Sequence, residues 1–431
     1  MTQDKPTADT QIIKLVEAAW EADRRGERIE ARNMWETALR LARDAGDLES
    51  EADALSGLGV SVRYDFDFTR SEALLREALE RAEAGGHKRA AVRARANLAI
   101  TLRQMGRLDM AQDESQIAAR LYRDIGELAG VNRMLHLQSQ ILQDQGLLEQ
   151  ALKLMEEVIE LDEITGDRSG QARSLGLMSS LLHEMGRYDE AISRLQQVIA
   201  IFKALGEPSF LALGLINLAE VHKSAGRLDD AMEFTDEALR ITVPLHMPGR
   251  QARALSLRAA VLVMLERLDE AADAVLKAND LVGSNADGYM RQANAVALAR
   301  IALRRHNPRQ ALEHAELAVQ TSREEGYPVM LVDSLWLKAG ALLQLGETDD
   351  AREAVMEAIE VLDRTDKPEQ QYRLKCTALH ARIEQQAGNA EDARFLAEEA
   401  EDLRAKLNVT ESSHDPELRE VALQLRELAT G

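Results

Sequence analysis

A turn followed five residues later by alanine recurs along the chain at 40 residues or a multiple of it: Gly26/Ala31, Gly106/Ala111, Gly146/Ala151, Gly186/Ala191, Gly226/Ala231 and Gly346/Ala351. The register continues where glycine is lost, at Glu266/Ala271 and His306/Ala311, and ends at Gly388/Ala393. A further unit lies between the first and third. Its first half keeps the register (Leu58-Gly59 against Leu98-Ala99), while its turn, Tyr64 to Thr69, reads as two residues longer, ahead of Ala73. Ten units in 431 residues predict stacked short elements rather than the two or three independent domains that length alone would imply.

Each unit reads as two helices. Apolar residues recur at helical spacing before the turn (Leu98, Leu102, Met105; Leu177, Leu181, Met185) and again after it (Ala151, Leu154, Met155, Val158, Ile159). Gly46, Gly126, Gly166 and Gly206, each followed by Asp or Glu, close most units, where glycine can take the left-handed conformation that ends a helix. In the turns at 106, 186 and 226, Gly-Arg-Leu-Asp or Gly-Arg-Tyr-Asp puts a carboxylate at the positive end of the second helix. Only 3% of residues are aromatic and eight are proline, while Ala, Leu, Glu and Arg abound, which favours helices packed through small residues over sandwiches, barrels or disorder. The expected fold class is all-α.

Segments such as 97–118 (NLAITLRQMGRLDMAQDESQIA) and 217–238 (NLAEVHKSAGRLDDAMEFTDEA) carry a large apolar residue, a small one, a third apolar, the turn glycine, an apolar residue, a packing alanine and a final alanine. In that order the chain resembles the tetratricopeptide repeat (TPR) family, over about residues 10–406. The units are similar to the 40-residue variety found in kinesin light chains and in Rap-type and MalT-like bacterial regulators. The resemblance implies a right-handed superhelical solenoid of about ten helical hairpins with a concave and a convex wall. Residues 1–9 are expected to be disordered, 407–415 to form a linker, and 416–431 to form a C-terminal capping helix, Pro416 suiting its first turn. The departures are the aromatic turn of unit 2, the exit of unit 6 through Pro244 and Pro248, and the missing turn glycines of units 7 and 8.

One cysteine, Cys376, allows no internal disulfide and no cysteine-cluster metal site. The polar start MTQDKPTAD and the absence of an 18-residue apolar stretch predict neither signal peptide nor membrane span, and a cytoplasmic location. A net charge of −21 opposes general binding to nucleic acid or anionic membranes. No phosphate loop, H-E-x-x-H, EF-hand loop or G-x-S-x-G motif is present, and His183 and His222 lack partners at metal-ligand spacing. Asp229-Asp230 and Asp349-Asp350 sit where helix-start carboxylates belong. The expectation is a non-enzymatic protein without cofactor or metal.

Overlaying the units reveals a charge pattern. Thirteen residues before the turn stand Asp53, Arg93, Arg133, Arg173, Leu213, Arg253, Ala293 and Asp333; three before it stand Arg63, Arg103, Gln143, His183 and Lys223. In the TPR family these columns face the groove, so the resemblance implies a basic stripe through units 2 to 7 of an acidic protein. None of Arg93, Arg133, Arg173 and Arg253 has a carboxylate three or four residues away in its own helix, although pairing between units, as of Asp53 with Arg93, stays open. If paired, each contributes only about 0–1 kcal/mol and merely solvates the surface. Asn97 and Asn217 share the column nine before the turn, where the family presents an amide to the main chain of a bound peptide. His136 and Gln140, on the same first helix as Arg133, complete the candidate ligand-binding set.

Two basic islands, 81–107 and 291–312, lack an aromatic stacking set, which makes nucleic acid a poor reading. Trp20 and Trp336 lie in groove columns, whereas Trp35 falls on a second helix and reads as core. The reading that follows is a scaffold whose groove binds a protein or peptide segment that is acidic or ends in a carboxylate. Arg93, Arg133, Arg173 and Arg253 would supply charge, Arg63, Arg103, His183 and Lys223 the opposite rim, and Asn97 and Asn217 the main-chain contacts. The alternative is a ligand-responsive regulator resembling Rap-type or MalT-like proteins and acting through a partner protein. Neither reading involves nucleic acid or membrane; stacked ends leave homo-oligomers open as a third, architectural class.

Overall fold

The stripes identified above become helices because each buries its apolar side against the next. The computed structural model describes residues 8–25, 27–283, 288–365, 370–410, 413 and 415–430. The chain forms two bodies, one up to Met185 and the other from Gly186 onward. The first holds α1 (Ala8–Arg25), α2 (Arg28–Ala45), α3 (Leu48–Tyr64), α4 (Phe68–Gly85), α5 (Lys88–Gln104), α6 (Leu108–Asp124), α7 (Leu128–Asp144), α8 (Leu148–Thr165) and α9 (Arg168–Glu184). The second holds α10 (Tyr188–Leu205), α11 (Pro208–Ser224), α12 (Leu228–Thr242), α13 (Pro248–Met264), α14 (Leu268–Val282), α15 (Gly288–Arg304), α16 (Pro308–Glu325), α17 (Pro328–Leu345), α18 (Thr348–Asp363), α19 (Gln370–Ala387), α20 (Ala390–Lys406) and α21 (Pro416–Thr430). Each body is a stack of helical hairpins, a helical solenoid in which odd-numbered helices up to α19 are the first of their repeat.

The packing alanines explain the close approach of the hairpins. Ala31, Ala111, Ala151, Ala191, Ala231, Ala271, Ala311 and Ala351 are all fully buried. Around them sit larger residues, as in the cluster of Val332, Leu335, Leu342, Val355, Leu362 and Ile383, each contributing roughly 1.5–3 kcal/mol of burial. Trp35 is fully buried, stacks edge-on against Trp20 at 4.8 Å, and donates from Nε1 to Asp23 at 2.8 Å. Its placement in the core matches the sequence reading, while Trp20 belongs to that core too and is no groove anchor.

Three expectations need correction. The turn of repeat 2 is not enlarged: α3 ends at Tyr64 and α4 begins at Phe68, the same spacing as Gln104 to Leu108 in the next repeat. Phe66 takes the left-handed place of the turn glycine (φ 62°), and the packing position belongs to Ser71, not Ala73. The buried Ser71 hydroxyl donates to the Gly59 carbonyl at 2.8 Å, which is how a polar residue is tolerated there. Second, α17 is long and apolar enough to cross a membrane by length and composition, although half of it is buried against its neighbours. Third, α1 already begins at Ala8. The rest of the N-terminal tail, the first turn glycine Gly26, and residues 411, 412 and 414 of the linker lie outside the described residues.

Candidate functional site

In the first body the column three before the turn reaches sideways onto the next first helix. Arg63 on α3 donates to the Asn97 carbonyl on α5 at 3.3 Å; Arg103 on α5 donates to Gln140 Oε1 at 3.0 Å and Asp144 at 2.7 Å on α7; Gln143 on α7 donates to Glu184 on α9 at 2.7 Å. First helices therefore stand side by side and build one face from residues 40 apart. On this face Arg103 is already neutralised. So is Arg93, whose guanidinium donates to both carboxylate oxygens of Asp53 at 2.7 Å. Burial raises the Asp53 carboxyl above its ordinary value despite this partner. Arg93 and Arg103 are thus internal ties between repeats, a correction to their assignment as partner-binding residues.

The remaining cations of that set differ. Half-buried Arg63 has no carboxylate partner among the described residues, and burial pushes its guanidinium below the usual range. Arg133 is exposed, donates only to the Tyr122 hydroxyl at 3.2 Å, and lies 5.6 Å over that ring. Arg173 is exposed, donates to Ser169 at 2.9 Å, and is no closer than 3.7 Å to Asp167. Between them runs a polar ladder that the spacing did not reveal. Buried Asp162 accepts from Ser174 Oγ at 2.6 Å and Asn132 Nδ2 at 2.5 Å, and Ser174 Oγ stands 3.1 Å from His136 Nε2. Burial lowers the His136 imidazole, with Arg173 working in the same direction and Asp162 against it. The order, serine between aspartate and histidine with its hydroxyl fully buried, fixes the helices and offers no activated nucleophile. Asn97 and His183 are half-buried on α5 and α9.

In the second body Asn217 is half-buried on α11, and Lys223 is bound to Glu220 at 2.6 Å. Burial opposes the Lys223 charge, but Glu220 holds the ammonium above its ordinary value. Arg253 on α13 is exposed without a carboxylate partner among the described residues, and with burial it pushes Arg250 down. The strongest charge cluster lies elsewhere and escaped the column reading. Arg300 on α15 donates to Asp333 on α17 at 2.6 Å and to Glu417 on α21 at 2.6 Å. Lys375 on α19 donates to Glu417 at 2.8 Å and stands 3.2 Å from Asp415. It also lies 5.8 Å over the ring of Trp336, whose Nε1 donates to the Lys375 carbonyl at 3.2 Å. Lys375 does hold the position thirteen before a turn, but the last repeat is 42 residues long and drops out of the 40-residue overlay.

Within each body first helices are tied to first helices, as Arg103 to Asp144 and Arg300 to Asp333. The match to the MalT-like TPR region spans residues 123–361, more than half of the chain. The chain belongs to the MalT-like TPR family. No curated protein matches it in sequence. Among solved structures, a signal transduction ATPase with numerous domains and a TPR sensor, from Pyrococcus horikoshii, is 14% identical with a TM-score of 0.55, covering 75% of this chain and 48% of that one. This chain therefore spans about half the length of that relative. The apo quorum sensor NprR from B. thuringiensis is 13% identical with a TM-score of 0.53, covering 81% of this chain and 98% of that one. A Rap protein complexed with competence and sporulation factor is 15% identical with a TM-score of 0.51, covering 79% and 96%. At such identities these likenesses establish the shared fold. The MalT-like TPR chain is a helical-repeat solenoid.

Proposed function

We propose that this protein is a non-enzymatic scaffold whose first-helix face in the first body binds an acidic segment of a protein or peptide. The observation that carries the reading is the contrast within one set of cations: Arg93 and Arg103 are consumed by Asp53 and Asp144, whereas Arg63 and Arg133 have no carboxylate partner among the described residues and Arg173 has only a looser pair with Asp167 at 3.7 Å. A half-buried cation without a counter-ion, such as Arg63, costs desolvation that a partner carboxylate would repay. Charge-assisted hydrogen bonds from Arg are strong and directional, which suits recognition of a carboxylate. The test is affinity capture from the source organism with wild type beside an Arg133→Glu/Arg173→Glu double variant of unchanged helicity. Partners lost in the variant support the site; partners retained by both remove it from this face.

Family membership favours a second reading, that the scaffold is the ligand-responsive part of a regulator acting through another protein. A solenoid distributes a small change over many interfaces in series, so local binding can alter its pitch. Small-angle scattering with and without a captured ligand tests this, and superimposable curves at saturation would count against it.

A further inference from the structure

The C-terminal helix α21 does two jobs. Leu418, Val421, Ala422 and Leu425 close the apolar end of the stack by packing with Leu374 and Ala378 of α19 and Ala400 of α20. Its opposite, charged flank turns back over the first helices. Glu417 bridges Arg300 and Lys375, Glu420 stands 3.5 Å from Arg304, and Arg419 is 4.0 Å from Glu266. A helix serving only as an end cap would have no need to reach α15, two repeats away. The contact is also well desolvated: the side chains of Lys375 and Glu417 are 7% and 12% exposed.

Two further observations show that α21 occupies this face without filling it. A cleft of about 840 Å³ remains between α21 and the first helices, lined by Trp336, Gln344, Arg382 and Gln386 on one side and Val421 and Gln424 on the other. Arg382 lines this cleft and is half-buried. The connection from Lys406 to Pro416 is also long compared with the two to three residues that join most neighbouring helices; its first part is anchored, Val409 being buried and its carbonyl accepting from Arg404 at 2.7 Å, so the tether that α21 can use lies after Val409.

We propose that the face formed by α15, α17 and α19 is a helix-binding site, held in cis by α21, that accepts in its place an acidic amphipathic helix from a partner protein. The inference extends the proposed binding of acidic segments but rests on residues of its own. The resident helix defines what fits. Asp415 caps α21, its Oδ1 accepting from the Glu417 amide at 2.8 Å, and its other oxygen faces Lys375. A competitor therefore needs a carboxylate at its helix cap and another two residues on, where the positive end of the helix favours both. Apolar residues must follow at the places of Leu418, Val421 and Leu425. Because Arg300 and Lys375 lose a shared counter-ion when α21 departs, a helix lacking those carboxylates leaves two buried cations poorly paired and is rejected.

The probe is a labelled peptide of residues 413–431, added to the full chain and read by fluorescence anisotropy. Glu417→Gln in the protein loosens the resident helix, and the peptide should then bind at least about tenfold tighter than to wild type. A peptide carrying Glu417→Gln, or a protein carrying Lys375→Met beside Glu417→Gln, should lose that binding. Hydrogen exchange on the wild-type chain provides a readout without any variant: amides of α21 should exchange faster than those of α19 and α20, and faster still with the peptide present. Absence of saturable peptide binding to the Glu417→Gln protein, or exchange of α21 in step with α19 and unaffected by peptide, overturns the proposal and makes α21 a fixed cap. Arg133 and Arg173 take no part in these measurements, so failure here is distinct from failure of the first-body site.

Discussion

At the scale of single residues, two glycines in helix interiors make opposite predictions from the same chemistry. A Cβ on Gly57 would sit 2.2 Å from the Trp35 ring, which Asp23 and Trp20 hold in place. Alanine gains about 1 kcal/mol of helix propensity there, but overpacking against a rigid ring costs about 1–3 kcal/mol, so Gly57→Ala should lower stability in urea unfolding. Gly176 has nothing within 4 Å, and Gly176→Ala should raise stability by about 0.5–1 kcal/mol. A gain at Gly57 or a loss at Gly176 would contradict the packing described. Glu384 gives a pH prediction. Hydrogen bonds from Arg352 and Asn389 hold its carboxyl at about 2, below the usual 4.5. A depressed folded-state value means stability that is present above the unfolded value and lost as pH falls through the folded one. Glu384→Gln should therefore destabilise the protein at neutral pH, and the deficit should shrink between about pH 4.5 and pH 2. A deficit independent of pH, measured by urea unfolding across that range, would rule out the ion pair as its cause.

At the scale of helices and turns, glycine is replaced at five left-handed positions, by Phe66, His246, Glu266, His306 and Asn408. An L-residue there costs about 1–2 kcal/mol, partly offset by the smaller entropy it loses on folding, so His306→Gly should stabilise by about 0.5–1 kcal/mol. A fall in the urea midpoint would show that the His306 side chain contributes more than its backbone costs. These turns also show why part of the fold was readable. The period and the packing alanines follow from local sequence, and the repeats obey them except the second, which carries Ser71, and the last, which is two residues longer. The turn of repeat 2 was misread because Phe66 and Ser71 replace the glycine and alanine that mark the register, although their backbone and burial are the same. The face was readable only in outline. Columns locate Arg63, Arg93 and Arg133 on first helices, but whether each is spent depends on a carboxylate a whole repeat away, as Asp53 is for Arg93. The Arg300 cluster was hidden because Glu417 lies 117 residues along the chain.

At the scale of the whole molecule, stacked repeats share stability only with their neighbours. Gly57→Ala should thus lower hydrogen-exchange protection in α2 to α4 while leaving α15 to α19 unchanged; a uniform loss across the chain would indicate a single cooperative unit. A net charge of −21 makes the surviving basic face a local exception, and an acidic ligand must reach it through a repulsive field. Binding should therefore be salt-sensitive and confined to the unpaired cations. The most direct test is the affinity of labelled acidic peptides for wild type and for Arg133→Glu/Arg173→Glu, titrated from low to physiological salt. Saturable binding to wild type that weakens with salt and is lost in the variant is the predicted result. Equal affinity for both proteins would contradict the account.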